Sequence, residues 1–313
     1  MERLLLVLDR TLVLFIGIAV GAVIGLAFLS GGSSGGGAAP TPVTPGAVAN
    51  EVEATAAVDP DACECAERFS PELARAIAAG QTIHVGVFGD SFGDGVWAAL
   101  YRQLREDGDF EVHQFGRQST GFTRYQSLNL LDDIRDKIDA QPVQIAVLSF
   151  GANDTQGIWA DGHAAEYMSD DWQALVGERV EAVVQLLRDR GAMVYWVGLP
   201  KMREARFDAQ IQQMNAFYAR RMRALNVPFI DTVPMSVDAT GGYSPYLRNP
   251  QTGERVNARA NDGIHMTMTG YGFLTHGLAT RIREYIADAR AEMTERNERR
   301  ASSGQAGPGR SEG

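Results

Sequence analysis

Three short segments carry residues whose types and spacing could perform acyl chemistry. Gly89-Asp90-Ser91-Phe92-Gly93 follows an apolar run and opens an amphipathic stretch. Glycines permit a sharp turn from strand to helix, and a helix N-terminus presents unpaired N–H groups to developing negative charge. A serine there has an exposed hydroxyl and its own N–H facing a substrate carbonyl, which makes Ser91 a candidate nucleophile. Gly151-Ala152-Asn153-Asp154, after a later apolar run, is expected to project an amide donor and a carboxylate over the same rim. Asp262-Gly263-Ile264-His265 lies just before the last helical stretch. Three-residue spacing on a turn lets both side chains face one nucleophile, with His265 as base and Asp262 orienting the ring and stabilising its charge.

Other polar residues give weaker signals. His84 sits within a strand-like run and His113 beside one, so both read as packing or edge residues, and His276 reads as a surface residue. No metal ligands cluster at short spacing, so neither a metal nor a cofactor is expected. Arg203, just past Trp196-Val197-Gly198-Leu199-Pro200, could contact a polar substrate or simply be solvated.

The elements that must position these residues alternate in type. Strands are expected at Thr82–Phe88, Phe110–Phe115, Val143–Phe150, Met193–Leu199 and Val227–Ile230. Helices are expected at Gly93–Glu106, Leu128–Asp139, Trp172–Arg190, Phe207–Leu225 and Thr269–Ala287. Strands this apolar are covered on both faces, as in a parallel sheet. The alternation predicts a three-layer α/β/α domain around a central parallel sheet of about five strands, joined by right-handed crossovers. Ligand chemistry in such a sheet belongs at the carboxyl ends of the strands, which is where the motifs fall. Thr155 to Asp171, with Trp159, His163 and Tyr167, is longer than a tight strand–helix connection needs; it is expected to form a substrate rim or to cover the sheet edge.

The chain has 313 residues, 45% hydrophobic, with a formal net charge of −10. That is apolar enough for a real core, and no basic stripe with interleaved aromatics points to nucleic acid. Thr11 to Leu29 is an uncharged run with Arg3 and Arg10 before it and no Lys or Arg after it until Arg68. As a helix it would be about 28 Å long, close to the roughly 30 Å hydrocarbon core of a bilayer. The positive-inside rule then sets residues 1–10 in the cytoplasm, 11–29 as a transmembrane signal anchor and the rest outside, in the periplasm or at the cell exterior. A cleaved signal peptide is the rival reading; the run is long for one and no A-x-A site follows it directly. Gly17, Gly21 and Gly25 place small residues on one helix face, where a second helix could approach and a homodimer form, although small residues are common in membrane helices. Residues 30–60 read as a Gly/Pro/Ser tether, 61–290 as the folded domain and 291–313 as a disordered tail. Cys63 and Cys65 stand at the end of the tether, too few for a disulfide framework or a cysteine-rich zinc site.

Gly89-Asp90-Ser91, Gly151-x-Asn153-Asp154 and Asp262-x-x-His265, in that order, resemble the SGNH, or GDSL-like, hydrolase superfamily. The resemblance covers about Gln81 to Ile286. It implies a flavodoxin-like fold and an ester hydrolase in which Ser91 attacks and Asp262 and His265 complete the triad. It also implies an oxyanion held by the Ser91 N–H, a glycine N–H and the Asn153 side chain. The glycine must come from Phe115-Gly116-Arg117-Gln118-Ser119-Thr120-Gly121, with Gly121 expected and Gly116 the fallback. Phe92 stands where leucine is commoner, a departure expected to matter little. The Ser-Thr-Gly-Phe loop, Gly-Ala-Asn-Asp and Trp196–Pro200 look like a bacterial envelope-associated branch of largely unassigned function. Relatives in the superfamily remove or transfer O-acetyl groups on cell-wall and exported polysaccharides, so an acylated carbohydrate is the expected substrate. An acetyltransferase sharing the acyl-enzyme and a catalytically silent envelope binding module are the alternatives. Gly89-x-Ser91-x-Gly93 also satisfies the nucleophile-elbow pattern of α/β-hydrolases, although there the serine would lie mid-sheet rather than on the first strand.

Overall fold

Five parallel strands in the order β2-β1-β3-β6-β7 form the centre of the molecule. They are β1 (Ile83–Gly89), β2 (Phe110–Gln114), β3 (Ile145–Ser149), β6 (Met193–Val197) and β7 (Phe229–Ile230). The computed structural model describes residues 69–160 and 162–304. The expected cytoplasmic tail, membrane span, tether, Gly17, Gly21, Gly25, Cys63 and Cys65 fall outside the described residues. Among the described residues no helix is long and apolar enough to cross a membrane.

Alternation within the strands explains why helices cover both faces. In β3, Ile145 and Val147 join one core while Ala146 and Leu148 join the other. The first core takes Val96, Leu100 and Leu104 of α2 (Ser91–Leu104) and Leu274, Leu278 and Ile282 of α6 (Met268–Gly304). Leu73 and Ala76 of a short helix, α1 (Pro71–Ala78), belong to it too. The second core takes Ile134 and Ile138 of α3 (Leu130–Ala140), Val176, Val180 and Val184 of α4 (Asp170–Asp189), and Met214 and Phe217 of α5 (Ala205–Ala224). Short polar side chains start the helices: the oxygens of Ser70, Asn129 and Ser169 accept N–H groups of the first turns of α1, α3 and α4. The three-layer α/β architecture expected from the sequence is therefore the one observed.

Four features were not expected, the first being helix α1 (Pro71–Ala78). Thr155–Asp171 contains a hairpin of β4 (Ile158–Ala160) and β5 (His163–Ala165), whose Ile158 and Ala165 are buried while Trp159 is 61% exposed. A second hairpin, β8 (Tyr246–Arg248) with β9 (Arg255–Asn257), interrupts the path from β7 to α6. Helix α6 continues to Gly304, past residue 290 where the tail was expected to begin.

Taken as five consecutive strands, the sheet order is 2-1-3-4-5, so the chain reverses its direction of travel between β1 and β3. Those two strands are neighbours, with Gly89 paired to Ser149 at their carboxyl ends. The loops carrying Ser91 and Asn153 therefore leave the sheet side by side.

Candidate active site

Ser91 is the first residue of α2, so its N–H has no acceptor within the helix. The turn that places it is fixed from beneath. Asp90 is fully buried, and its Oδ1 accepts the Phe92 N–H at 2.8 Å, capping the helix. The Ser91 Oγ lies 2.8 Å from His265 Nε2, and His265 Nδ1 lies 2.7 Å from Asp262 Oδ2. The other oxygen of Asp262 accepts the N–H groups of Ile264 and His265 at 2.8 and 3.0 Å. Partial burial pushes the Asp262 carboxyl upward, but the His265 ring and these two N–H groups outweigh it and hold it at about 2. An ionised carboxylate only accepts, so Nδ1 must carry the ring proton and Nε2 is left with its lone pair toward the serine. That is the tautomer a general base needs.

The Asp262–His265 turn is braced from two sides. Arg203 donates from its guanidinium to the carbonyls of Asn261 and Asp262 at 2.9 and 2.8 Å, and its backbone N–H donates to the Gly263 carbonyl at 2.9 Å. Gly263 has φ +77°, and an added Cβ would lie 2.5 Å from Arg203 Nε, so both conformation and space require glycine. Arg259, buried beneath Tyr243 with ring centroid to guanidinium 4.9 Å, donates to the Ile264 carbonyl at 3.1 Å. Arg203 thus commits its guanidinium and its backbone N–H to this turn while its side chain stays exposed. Phe92, expected to matter little, stacks on the His265 ring with centroids 5.0 Å apart and planes 26° apart.

Of the expected oxyanion donors, the Asn153 amide is already engaged. Asn153 Nδ2 donates to Asp90 Oδ2 at 3.1 Å and to the Thr120 carbonyl at 3.0 Å, which uses both amide hydrogens. Thr120 C=O and Gly121 N–H belong to one trans peptide and point in opposite directions, so the Gly121 N–H faces away from the Asn153 amide. No hydrogen bond among the described residues engages the Gly121 N–H. Gly121 packs so closely on Asp154 that a Cβ would sit 2.4 Å from its Oδ1. Gly116, the fallback, lies against the Asp94 carboxylate of α2.

Asp154 corrects the sequence reading. Rather than projecting over the rim it is fully buried, accepting the N–H groups of Phe122 and Thr123 at 3.1 and 2.8 Å and the Thr123 hydroxyl at 2.7 Å. It shapes the loop that ends the oxyanion segment. Burial drives both inner carboxyls upward against the hydrogen bonds they accept, Asp90 to about 7. Roles for Asp90, Asp154, Arg203 and Arg259 were missed. Asp154 and Arg203 act on loops distant in sequence and Asp90 reaches Asn153, while Arg259 grips a carbonyl only five residues on; none of these bonds leaves a mark in residue spacing. Only the Gly-Asp-Ser and Asn-Asp spellings hinted at the carboxylates.

A serine, a histidine and an aspartate in hydrogen-bonded line at the carboxyl edge of a parallel sheet define a serine-hydrolase arrangement, of the SGNH kind that the motifs resemble. The chain belongs to the family described as a protein of unknown function (DUF459), which matches residues 84–281 and so spans Ser91 to His265. No curated protein matches it. Among solved structures it is similar to a putative acylhydrolase from Bacteroides fragilis, at 17% identity over 69% of this chain and 95% of that one, with a TM-score of 0.44. A GDSL-like lipase from Bacteroides thetaiotaomicron is similar at 16% identity over 69% of this chain and 98% of that one, TM-score 0.45. A carbohydrate esterase of family 3 from Talaromyces cellulolyticus is similar at 13% identity over 66% and 99%, TM-score 0.44.

Proposed function

We propose that the protein is a serine esterase that removes O-acyl groups, acetyl foremost, from carbohydrate of the cell envelope, working outside the cytoplasmic membrane on an N-terminal anchor. The observation that carries the esterase reading is the Ser91–His265–Asp262 line, with contacts of 2.8 and 2.7 Å. Nε2 takes the Ser91 proton as Oγ attacks the acyl carbonyl, and Asp262 stabilises the imidazolium that results. The Ser91 N–H is the fixed oxyanion donor at the helix start. The developing oxyanion competes with the Thr120 carbonyl for an Asn153 hydrogen. His265 then gives that proton to the sugar oxygen as its bond to the acyl carbon breaks, so that the sugar leaves as an alcohol, and water, activated by the same ring, releases the acid from the acyl-enzyme.

The carbohydrate part rests on exposure and on the sequence resemblance. Asp262 lies open to solvent, and Trp159 offers an exposed ring on the hairpin after β3, both suited to an extended polar substrate. The test is release of p-nitrophenol from its acetate ester, with Ser91→Ala and His265→Ala alongside. Equal rates in all three proteins would sink the esterase reading. Acyl-chain panels and acetylated polysaccharides then test the substrate, and a preference for long acyl chains would overturn the acetyl reading.

A further inference from the structure

At the opposite end of β1 from Ser91, parallel pairing brings His84 opposite Glu111, and Gly86 opposite His113. Residues 111 and 113 share a face of β2, so three ligand-type side chains from two strands meet on one side of the sheet edge. His84 Nδ1 lies 2.8 Å from His113 Nε2 and 3.5 Å from Glu111 Oε2, and the ligand atoms of all three lie within 4.8 Å of one another. We propose that His84, Glu111 and His113 form a binding site for one divalent transition-metal ion of the zinc class.

The geometry suits such an ion. Tetrahedral zinc with ligands at about 2.0–2.1 Å sets its donors about 3.4 Å apart. The two imidazole nitrogens need only open slightly, and the Glu111 oxygen already stands at that separation from His84. Two imidazoles and a carboxylate favour zinc-like ions over calcium or magnesium, which prefer all-oxygen sets. Glu111 is 60% exposed, which leaves an entry path and a fourth position for water. Gln141 Nε2, 3.4 Å from His84 Nδ1, is placed beside that position. His113 Nδ1 is 3.9 Å from the other Glu111 oxygen.

Binding needs no redox step and no net proton loss from two neutral rings. Each ring holds its hydrogen on the nitrogen facing away from the ion, and the direct ring–ring hydrogen bond is replaced by two metal–nitrogen bonds. The consequence is mechanical. Strand β2 is an edge strand, and the ion would tie it to β1 beyond what the ladder provides. From β2 the chain runs directly into the segment ending at Gly121, so the site anchors that segment without touching substrate. Sequence spacing could not reveal it, because Glu111-x-His113 meets His84 only through strand register.

The test uses the full-length chain in detergent, stripped with chelator and titrated with Zn²⁺ alone and with Co²⁺ alone. One Zn²⁺ per chain is expected, and Co²⁺ should show the strong visible absorption of a four-coordinate ion. His113→Asn and Glu111→Gln, which remove ligands outright, should each weaken Zn²⁺ binding by more than the roughly 10- to 100-fold that loss of an outer-shell partner costs. The double substitution Cys63→Ser, Cys65→Ser should leave it unchanged. Circular dichroism checks that each variant folds, and Glu111→Gln, at an exposed side chain, keeps the test valid should the histidine variant not fold. Absence of Zn²⁺ binding by the unsubstituted chain overturns the proposal. Affinity that survives Glu111→Gln, or that is lost with the cysteines, overturns it equally.

Discussion

Because the Asp262 carboxylate takes two backbone N–H groups on one oxygen and the ring Nδ1–H on the other, its charge decides which imidazole nitrogen is basic. In Asp262→Asn the amide oxygen can keep the backbone bonds, which turns the NH₂ group toward Nδ1. The ring must then accept there and carry its proton on Nε2, facing Ser91 as a donor. We expect kcat on p-nitrophenyl acetate to fall about 10⁴-fold with KM little changed; a loss confined to KM would show that Asp262 does not set the tautomer. Asn153 tests the oxyanion site differently. Asn153→Ala should lower kcat by about 10²–10³-fold if the amide leaves the Thr120 carbonyl for the oxyanion. A variant with unchanged kcat would assign the amide to loop structure alone. The triad was legible in the sequence because its members sit in two short motifs, Asp262 and His265 together on one turn. Arg203 was not, because its partners are carbonyls some sixty residues further on, at Asn261 and Asp262, and carbonyls leave no mark in a sequence.

Loops and caps turn these residues into a site. Arg203, on the connection between β6 and α5, holds the Asp262–Gly263 turn by side-chain and backbone bonds. Removing the guanidinium in Arg203→Ala should lower kcat about 10- to 100-fold through misplacement of His265, with partial rescue by Arg203→Lys. A rise in KM alone would make it a substrate contact instead. Asp90 caps α2 from a fully buried position, and burial raises its carboxyl to about 7 from an ordinary 3.8. Between roughly pH 4 and 7 the folded protein therefore holds a proton that the unfolded chain has released, so stability falls as pH rises through that window. Asp154 acts in the same sense, whereas Asp262, held low, loses its contribution only below about pH 4. Thermal melts should show Tm declining from pH 5 to 8, and Asp90→Asn should flatten that decline; an unaltered slope would refute the buried titration. The five strands were legible mostly as short continuous apolar runs and the five long helices by their apolar period. The two hairpins have strands of three residues, too short for any period to show. Helix α1 went unread although Ser70 and Pro71 spell a helix start, because its eight residues bury little beyond Leu73 and Ala76. The end of α6 went unread because residues 291–304 are charged and then small and polar, with no apolar period to follow.

At the scale of the whole chain, the composition of residues 1–60 argues for an anchor and a tether, and the acidic domain beyond them carries the complete triad. If Thr11–Leu29 spans the bilayer uncleaved, two independent properties must hold together. The full-length chain should stay in the membrane pellet after an alkaline carbonate wash, which strips proteins held only by charge. A tag placed after Gly313 should be digested by protease added to the outside of intact spheroplasts, because Arg3 and Arg10 keep the N-terminus inside. A chain beginning at residue 61 should be soluble and should hydrolyse p-nitrophenyl acetate with the same kcat/KM, since the triad and its braces all lie between Asp90 and Met266. Against an acetylated polymer fixed at the cell surface the same fragment should be slower, because only the anchored enzyme is held near its substrate at high effective concentration. Release of the full-length chain by carbonate would remove the anchor in favour of a cleaved signal peptide, whereas protection of its C-terminal tag would move the active site to another compartment and remove envelope carbohydrate as its substrate.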